Sequence, residues 1–524
     1  MDSLFVNREP EYKNAIPDTG YPITVKDLFL YADRQNVSGI RHALSGIGRK
    51  RLRRQVEQTK LENALLNFEN KKVLVVGLAR TGLAVARFLK DRGARVMATD
   101  LKKKDELGSC VQEALAMGVS LKLGEHKSES FTGADFIVVS PGVPHNITPL
   151  GAARRAGIPV IGEVELASRY IDEPIVAITG TNGKTTTTSL IGKMLQDSGR
   201  KVFVGGNIGD PLIDHLNSGA DADVIVAEIS SFQLDTIKSF RPKVGVLLNI
   251  TEDHLDRYND FRDYARSKGR LFKNQESNDF AVLNGMDPAV CGLESIIAGQ
   301  KLYFNIDISG THSVPGDRHG VVIRGKEMIC SLPEKAPVRL SLAKFRLKGE
   351  HNLENAAAAT LAASAAGADR AGIQTALDTY EGLHHRLEFV RNVNGIEYYN
   401  DSKATNVDAA KRSLESFTSQ VILIMGGRDK GGSYELLKEL IRKRVKGLIA
   451  IGEARGKILS ALGGLTHSEG TRTLTDAVRL AHKAAAPGDV VLLSPGCSSF
   501  DMFIDYAERG EEFRKAVRGL MIDD

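Results

Sequence analysis

Short apolar runs, most of them rich in β-branched residues, recur along the chain, and each is followed by a glycine, a polar loop or a helix-like segment. A run of this kind is typical of a parallel strand that is covered on both faces. Strands are therefore predicted at VLVVG (73–77), FIVVSPG (136–142), PIVAITG (174–180), DVIVAEIS (223–230), VGVLLNIT (244–251), VILIMGG (421–427) and VVLLSPG (490–496). Because helix-like segments separate the runs, the pattern predicts an α/β protein with doubly wound parallel sheets.

The length and the spacing of the runs predict several domains. A chain of 524 residues is too long for one ordinary hydrophobic core, and its length corresponds to roughly three domains. The alanine-rich stretch after Asn355 is broken by Thr360 and Ser364, which predicts a tightly packed helix rather than a membrane span. We expect an N-terminal extension at 1–70, a first α/β domain at 71–163, a central domain at 164–382 and a C-terminal domain at 383–524.

The extension differs from the rest of the chain. It contains a helix-like segment, TVKDLFLYADRQ, in which Thr24 and Asp27 have the spacing of a capping box. It also contains RHALSGIGRKRLRRQ, which has no acidic residue between Arg41 and Arg54. This basic stretch could contact nucleic acid, an anionic lipid or an acidic protein, whereas the simpler interpretation is a solvated helix face. Our hypothesis is that the extension contacts another protein or packs on the first domain.

Composition narrows the class of protein. The net charge, 70 − 65 = +5, is a weak bias over this length and gives no argument for nucleic-acid binding. Four scattered cysteines without a CxxC pair favour a reducing compartment. The N-terminus shows no basic segment followed by an apolar run, so no signal peptide is predicted. We expect a cytoplasmic, soluble protein without membrane insertion.

The segment ITGTNGKTTTTSL predicts a phosphate-binding loop. A strand leads into it and a helix follows, so its two glycines would turn backbone N–H groups toward an anion at the helix N-terminus. Lys184 would reach the β- and γ-phosphates of a nucleotide, and the Thr185 hydroxyl would hold Mg²⁺. The common phosphate-loop pattern requires a glycine where this chain has Ile178, so the loop belongs to a different subclass.

Acidic and histidine side chains follow the next two predicted strands. Glu228 ends the strand that leads into EISSFQL, and Asp253 and His254 follow the strand that leads into TEDHLDRY. Ligands gather at the carboxyl ends of the strands in a parallel sheet. Together with Lys184 at the same edge, these side chains predict a Mg²⁺ site.

The first domain contains a glycine-rich turn, GLARTG at 77–82, with Asp100 at the end of the next strand. By itself this arrangement indicates a dinucleotide site. The motif is weak, however, and Ala79 stands in place of its second glycine. The residues alone therefore leave the ligand of this domain open.

Four segments, GTNGKTT, EISSFQL, TEDHLDRY and GEHNLENAAAA, together resemble the Mur ligase superfamily of ATP-dependent, amide-bond-forming enzymes of peptidoglycan synthesis. The phosphate loop of that superfamily reads GTNGK[ST]T, which accounts for the departure at Ile178. The resemblance extends from about Lys71 to the C-terminus. It implies a Rossmann-like UDP-binding domain, a central ATP-binding domain and a Rossmann-like C-terminal domain.

Four C-terminal segments resemble the D-glutamate-adding branch of the superfamily. They are HHRLEFV (384–390), YYNDSKATNVDAA (398–410), MGGRDKGG (425–432) and SPGCSSFDMFIDYAERG (494–510). The chain has neither a DNPR-like sequence, as in the lysine- or diaminopimelate-adding relatives, nor a YGHHP-like segment, as in the alanine-adding relative. The resemblance implies an ATP-dependent ligase that adds D-glutamate to UDP-N-acetylmuramoyl-L-alanine through an acyl phosphate. Another Mur-type ligase, a folylpolyglutamate synthetase-like ligase and a non-catalytic nucleotide-sensing scaffold stay open as alternatives.

The resemblance also implies roles for single residues in the nucleotide and metal sites. ATP would be bound by Gly180, Thr181, Asn182, Gly183, Lys184, Thr185, Thr186, Asn352, Asn355, Arg386 and Asp401. We expect two Mg²⁺ sites, with ligands drawn from Thr185, Glu228, His254 and a carbamylated Lys268. Without the resemblance, Lys268 would be interpreted as a solvated surface lysine.

The other two substrates are assigned in the same way. The UDP part of the nucleotide sugar would be surrounded by Leu78, Arg80, Thr81, Asp100, Ser140, Gly142 and Asn207. The D-glutamate carboxylates would be held by Lys403, Thr405, Lys430, Ser499 and Phe500. The expected catalytic residues are Lys184, His254, Lys268 and Lys403. Arg80 stands where smaller residues are common, Tyr506 stands where phenylalanine is expected, and we expect a monomer.

Overall fold

The computed structural model describes residues 67–253, 257–305, 319–347 and 349–520. The helix-like segment and the basic stretch of the extension lie outside these residues, as does His254. The described residues form three sheets, each made largely of parallel strands with helices between them. Within the same residues, no helix is both long enough and apolar enough to cross a membrane.

The first sheet has the strand order β3-β2-β1-β4-β5, with all neighbours parallel. Its strands are β1 (Lys72–Val76), β2 (Arg95–Asp100), β3 (Ser120–Leu123), β4 (Phe136–Val139) and β5 (Val160–Gly162). The helices are α1 (Arg80–Asp91), α2 (Ser109–Ala116), α3 (Ser128–Thr132), α4 (Thr148–Arg155) and α5 (Glu163–Ser168), with a 3₁₀ turn at Lys104–Glu106. Because the order reverses beside β1, the loops after β1 and β4 diverge and leave a crevice at the carboxyl edge.

The second sheet has the order β14-β13-β12-β11-β10-β9-β6-β8-β7. Its strands are β6 (Ile175–Thr179), β7 (Val202–Gly206), β8 (Val224–Glu228), β9 (Val244–Leu247), β10 (Phe280–Asn284), β11 (Gln300–Phe304), β12 (His319–Arg324), β13 (Glu327–Ser331) and β14 (Val338–Ser341). The strands β12, β13 and β14 pair antiparallel, and the other neighbours are parallel. The phosphate loop leaves the middle of this sheet, after β6.

Helices pack against the central strands of the second sheet and bury them. They are α6 (Lys184–Asp197), α7 (Leu212–Ser218), α8 (Ser231–Leu234), α9 (Phe261–Gly269), α10 (Pro288–Cys291), α11 (Glu350–Ala365) and α12 (Arg370–Thr379), with 3₁₀ turns at Arg270–Phe272 and Glu294–Ile296. The alanines of α11 are buried in one core with Leu190 and Met194 of α6, which confirms the tightly packed alanine-rich helix. Small side chains let the two helices lie close together over the sheet.

The third sheet has the order β15-β16-β20-β17-β18-β19, and only its β15–β16 pair is antiparallel within the described chain. Its strands are β15 (Glu388–Val393), β16 (Ile396–Asn400), β17 (Val421–Gly426), β18 (Val445–Ile451), β19 (His467–Gly470) and β20 (Val490–Leu493). The helices are α13 (Val407–Glu415), α14 (Lys438–Arg444), α15 (Arg455–Leu462), α16 (Leu474–Ala484) and α17 (Tyr506–Arg518), with 3₁₀ turns at Tyr434–Leu437 and Gly463–Leu465. Separate cores cover its two faces.

All the strands predicted from the apolar runs occur, as β1, β4, β6, β8, β9, β17 and β20, and the α/β class is confirmed. The predicted runs continue past the ends of several strands into glycine-containing loops. Gly142, Gly180 and Gly496 lie in such loops, at the carboxyl ends of β4, β6 and β20. These loops are the parts of a parallel sheet that bind ligands.

Candidate active site

The phosphate loop connects β6 to α6, and its backbone requires glycine at two positions. Gly180 and Gly183 have φ angles of 153° and 84°. A Cβ atom at position 183 would lie 2.2 Å from Oδ1 of Asn355, so a side chain at this position would collide with α11. The neighbouring N–H groups of Thr181 and Asn182 donate to the backbone oxygen and to Oδ1 of Asn249, at 3.0 and 2.8 Å. The loop is therefore fixed from both sides before any ligand binds.

Two lysine amines meet beneath this loop. Nζ of Lys184 donates to the carbonyl oxygens of Gly180 and Thr181, each at 2.8 Å. Nζ of Lys268, on α9, also donates to the Gly180 oxygen at 2.8 Å. The interpretation of Lys268 as a solvated lysine is wrong, because only 2% of it is exposed. Burial, with Lys184 close by, lowers the pKa of Lys268 well below its ordinary value.

Oxygen ligands suited to Mg²⁺ lie at the same edge. Glu228 ends β8 and is 2% exposed, and its Oε1 accepts a hydrogen bond from Asn207 at 2.8 Å. Its Oε2 is buried and has no hydrogen-bond partner in the described residues, so a carboxylate oxygen is left for a cation. The Thr185 hydroxyl contacts the Arg386 guanidinium. Across the described chain no cluster of three His, Cys, Asp or Glu side chains forms a metal site, and the predicted ligand His254 lies outside it.

The predicted ATP residues from two parts of the chain line one cavity. Asn182, Gly183, Thr186, Asn352 and Asn355 line it from the second sheet, and Arg386, Asp401 and Lys403 line it from the third. Burial raises the pKa of Asp401 to about 6 although its carboxylate accepts hydrogen bonds from two serine hydroxyls and from the Leu387 N–H. The cavity therefore combines amide groups suited to a base with cations suited to phosphates.

The residues predicted to hold D-glutamate lie on loops at the carboxyl edge of the third sheet. Nζ of Lys403 lies 3.6 Å from the centroid of the Tyr506 ring. Burial lowers the pKa of Lys403 to about 7, and the charges of Arg386 and Lys430 add to this effect. Thr405 follows on the same loop, partly buried, while Ser499 is buried. Phe500, by contrast, is 63% exposed.

A second cavity lies in the crevice of the first sheet. It is lined by Arg80, Thr81, Asp100, Ser140, Gly142 and Asn207, which are six of the residues predicted for the UDP part. The side chain of Leu78 does not line it, because it is buried in the core, but the Leu78 N–H donates to Oδ2 of Asp100 at 2.7 Å. Arg80 forms an ion pair with Asp210 on the loop after β7. Asn207 joins this cavity to the edge of the second sheet through its hydrogen bond to Glu228.

Models of three Mur ligase domains match successive parts of the chain. The family models described as the N-terminal domain of MurD-like Mur ligases, the Mur ligase middle domain and the Mur ligase glutamate ligase domain match residues 71–162, 178–363 and 385–497. A UDP-N-acetylmuramoylalanine--D-glutamate ligase of Desulfosudis oleivorans is 50% identical over 456 residues, 87% of this chain and 98% of that protein. The enzyme of the same name from Desulfatibacillum aliphaticivorans is 52% identical over 458 residues, 87% of this chain and all of that protein.

The chain belongs to the Mur ligase family.

Solved Mur ligase relatives share the fold at low identity. A pseudomurein peptide ligase type C from Methanothermus fervidus has a TM-score of 0.54 and 20% identity, and the match covers 86% of this chain and 99% of that one. The UDP-N-acetylmuramate-alanine ligase from Thermotoga maritima has a TM-score of 0.53 and 18% identity, with the same coverage. At this identity the likeness shows the Mur ligase fold alone.

Sequence reasoning missed the contacts that join the third sheet of this Mur ligase to the phosphate loop. Oδ2 of Asp408, in the first turn of α13, accepts hydrogen bonds from Asn182 at 2.7 Å and from the Thr251 hydroxyl at 3.3 Å. Beside it, Asn406 donates to Oδ2 of Asp253 at 3.2 Å. Asp408 stands inside the NDSKATNVDAA segment, so its place in a Mur ligase motif was the available signal.

Sequence reasoning also missed two further residues of this Mur ligase, because their positions depend on contacts between distant segments. His351 lines the same cavity as Asn352 and Arg386, and its burial beside Arg412 lowers its pKa to about 4, so it is neutral at physiological pH. Arg509 is buried beneath the loops of the third sheet. Arg509 stands in SPGCSSFDMFIDYAERG and His351 in GEHNLENAAAA, so their places in these motifs were the available signal.

Proposed function

We propose that this Mur ligase joins UDP-N-acetylmuramoyl-L-alanine to D-glutamate, with conversion of ATP to ADP and phosphate, as a cytoplasmic step of peptidoglycan precursor synthesis. Relatives that carry the corresponding ligase name match nearly their whole length at about half identity. The observation that carries the proposal is the contact of Arg386 with Thr185. Because Arg386 also lines a cavity together with Lys403, this contact supports one shared site for the transfer of a phosphoryl group and then of an amine.

In the first step, an oxygen of the L-alanyl carboxylate attacks the γ-phosphorus of ATP. The bond from this phosphorus to the bridging oxygen breaks, ADP leaves, and an acyl phosphate forms. Lys184 faces the loop that would hold the phosphates, so its charge would stabilise the negative charge that develops on the transferred group. When ATP binds, the Lys184 amine would donate its hydrogen bonds to phosphate oxygens instead of to the carbonyl oxygens of Gly180 and Thr181.

Magnesium fits the oxygen ligands at this edge. Thr185 and Glu228 would hold it together with His254, and a carbamylated Lys268 would supply a second carboxylate-like ligand. The buried and unpartnered Oε2 of Glu228 supports this assignment. When bound, Mg²⁺ would neutralise charge on the phosphate oxygens.

In the second step, the amine of D-glutamate attacks the carbonyl carbon of the acyl phosphate. The bond from this carbon to the phosphate oxygen breaks, phosphate leaves, the amine loses a proton, and an amide bond remains. Lys403, which is partly buried, and Lys430, which is exposed, would bind the D-glutamate carboxylates through charge-assisted hydrogen bonds. The Tyr506 ring under Lys403 would hold that ammonium in place.

The test is phosphate release from ATP in the presence of Mg²⁺ and UDP-N-acetylmuramoyl-L-alanine, with D-glutamate, L-glutamate, L-lysine or no amino acid. We expect release that depends on both the nucleotide sugar and D-glutamate. Release with another amino acid would keep the chemistry and change the acceptor. Folded protein that releases no phosphate with any acceptor would overturn the proposal.

A further inference from the structure

Arg509 lies on the first turns of α17 and is 1% exposed. Its Nε donates to Oγ of Ser402 at 3.0 Å, and its Nη2 donates to the backbone oxygen of the same residue at 2.8 Å. Its Nη1 lies within 3.2 to 3.4 Å of the backbone oxygens of Cys497, Ser498 and Gly426. The guanidinium thus uses all three of its nitrogens on acceptors from outside its own helix.

These acceptors come from separate loops, and each loop carries residues predicted to bind D-glutamate. Ser402 precedes Lys403, Gly426 ends β17 shortly before Lys430, and Ser498 precedes Ser499. The second and third loops are also paired directly, because Arg428 and Ser498 exchange backbone hydrogen bonds at 2.9 and 3.0 Å. Arg509 is therefore the side chain at which the three loops meet.

The buried charge of Arg509 is balanced in an unusual way. No carboxylate in the described part of the chain lies within ion-pair distance of it, so backbone and hydroxyl oxygens solvate the charge. Burial lowers its pKa to about 10, and it stays charged at physiological pH. A neutral residue would fill the same space without the cost of burying a charge. The rigid fork of the guanidinium, however, can hold several acceptors in one geometry.

A second residue of α17, Tyr506, also contacts the residues predicted to bind D-glutamate. Tyr506 and Arg509 are three residues apart on α17, so both side chains project from one face of the helix. The Tyr506 ring lies under the Lys403 ammonium, and the Tyr506 backbone oxygen accepts from Oγ of Ser402 at 2.7 Å. Helix α17 therefore contacts Ser402 through both Tyr506 and Arg509, and it contacts the neighbouring Lys403 through the Tyr506 ring.

We propose that Arg509 is a positioning residue for the D-glutamate site, which sets the relative placement of Lys403, Lys430 and Ser499 and adds positive potential beneath them. This inference rests on the proposed function. It assigns to Arg509 no contact with the nucleotide or with the UDP part. Changes at Arg509 should therefore affect the second step and leave the first step unaltered.

The experiment compares Arg509→Lys with the wild-type protein. Lysine keeps the charge but cannot hold acceptors from three loops, so we expect the KM for D-glutamate to increase roughly tenfold or more. The KM values for ATP and the nucleotide sugar should stay within about twofold, and kcat should fall less than KM rises. The first step is measured alone, without D-glutamate, as positional exchange of ¹⁸O in ATP, and it should be unchanged.

Two more variants make the result specific. Arg514→Lys is the matched control, because Arg514 lies on the same helix and bonds Glu511 at 2.8 Å instead of the pocket loops. Ser402→Ala removes the acceptor of Nε and keeps the guanidinium, and it carries the test if Arg509→Lys does not fold. We expect a smaller rise in the KM for D-glutamate, about threefold, for Ser402→Ala.

A folded Arg509→Lys variant with an unchanged KM for D-glutamate would overturn the inference, and so would an equal loss for all three substrates and for the isotope exchange. If Arg509→Lys does not fold, an unchanged KM in Ser402→Ala would overturn it. Wild-type protein that releases no phosphate with D-glutamate would instead overturn the proposed function. The two failures are therefore distinguishable.

Discussion

Lys184 and Lys268 both donate a hydrogen bond to the carbonyl oxygen of Gly180, each at 2.8 Å. Two ammonium groups that share one acceptor in a buried place repel each other, and water cannot screen the repulsion. The pKa values of both lysines are lowered, with burial as the largest cause. The pKa of Lys268 is the one that lies well below its ordinary value.

We predict that the Lys268 amine reacts with carbon dioxide, because its lowered pKa favours the neutral form that such a reaction requires. The resulting carbamate carries a negative charge, which would convert the repulsion with Lys184 into attraction. We expect a carbamate resonance in the ¹³C NMR spectrum of wild-type protein in ¹³C-bicarbonate, and none in Lys268→Ala. An active wild-type protein whose spectrum matches that of Lys268→Ala would contradict this.

Lys184→Ala should abolish turnover while the fold stays intact. The loop would lose the charge that faces the phosphates, and we expect phosphate release to fall at least a hundredfold, an order-of-magnitude figure. Thermal unfolding should show that the variant is folded. Lys193→Ala is the control, because Lys193 lies on the same helix and pairs with Asp197 at 2.9 Å. Equal activity in the two variants would refute the role of Lys184.

Glu228→Gln should weaken the binding of Mg²⁺ at this edge. The amide keeps the shape of the side chain and its contact with Asn207 but removes the charge of the buried Oε2. We expect the Mg²⁺ concentration for half-maximal phosphate release to rise about tenfold or more. Glu439→Gln is the control, because Glu439 lies on α14 and its carboxylate pairs with Arg442 at the surface. Identical Mg²⁺ titrations of both variants would remove Glu228 from the metal site.

Carboxylate binding by Lys403 should weaken as the pH rises. Its pKa of about 7 means that the ammonium is present at lower pH and is lost as the pH increases through this value. Glutarate, which resembles D-glutamate but has no amine, isolates this effect from the titration of the nucleophile. We expect its inhibition constant to increase roughly tenfold from about pH 6 to about pH 8. In Lys403→Arg the guanidinium stays charged, and the profile should be flat.

Deletion of residues 1–66 should leave phosphate release within about twofold of the full chain, because the matched ligase domains begin at residue 71. Our hypothesis for the extension requires a different loss, either in thermal stability or in a protein contact detected by cross-linking. A shortened protein that keeps its activity, its unfolding temperature and its cross-links would leave the extension without the proposed role.

Local features of this protein could be predicted from the sequence, whereas contacts between distant segments could not. The phosphate loop is a contiguous strand, turn and helix, so its residues specify it without help from the rest of the chain. Asp408 and Arg509 act on groups more than a hundred residues away or on several loops at once. Such positions depend on how the sheets pack, which no local pattern encodes. The domain boundaries and the roles of the site residues stay predictions.

Lys268 illustrates the limit most directly. Its helix, YARSKGR in the sequence, is polar, and a lysine in a polar helix is ordinarily solvated. Asp260 caps this helix by accepting the Asp263 N–H at 2.8 Å, and the helix then directs Lys268 inward beneath Gly180. Only the resemblance to a family could have indicated this before the fold was known.

The carboxylate of Asp408 has a consequence for how strongly the binding of one substrate affects the binding of another. It accepts a hydrogen bond from Asn182 in the phosphate loop, and its helix follows directly on the segment that holds Lys403 and Thr405. A nucleotide that engages Asn182 must alter the restraint on that segment. Thermodynamic reciprocity then requires D-glutamate to change the affinity for nucleotide by the same factor. Binding of nucleotide and of D-glutamate should therefore be coupled through Asp408, a route that does not include Arg509.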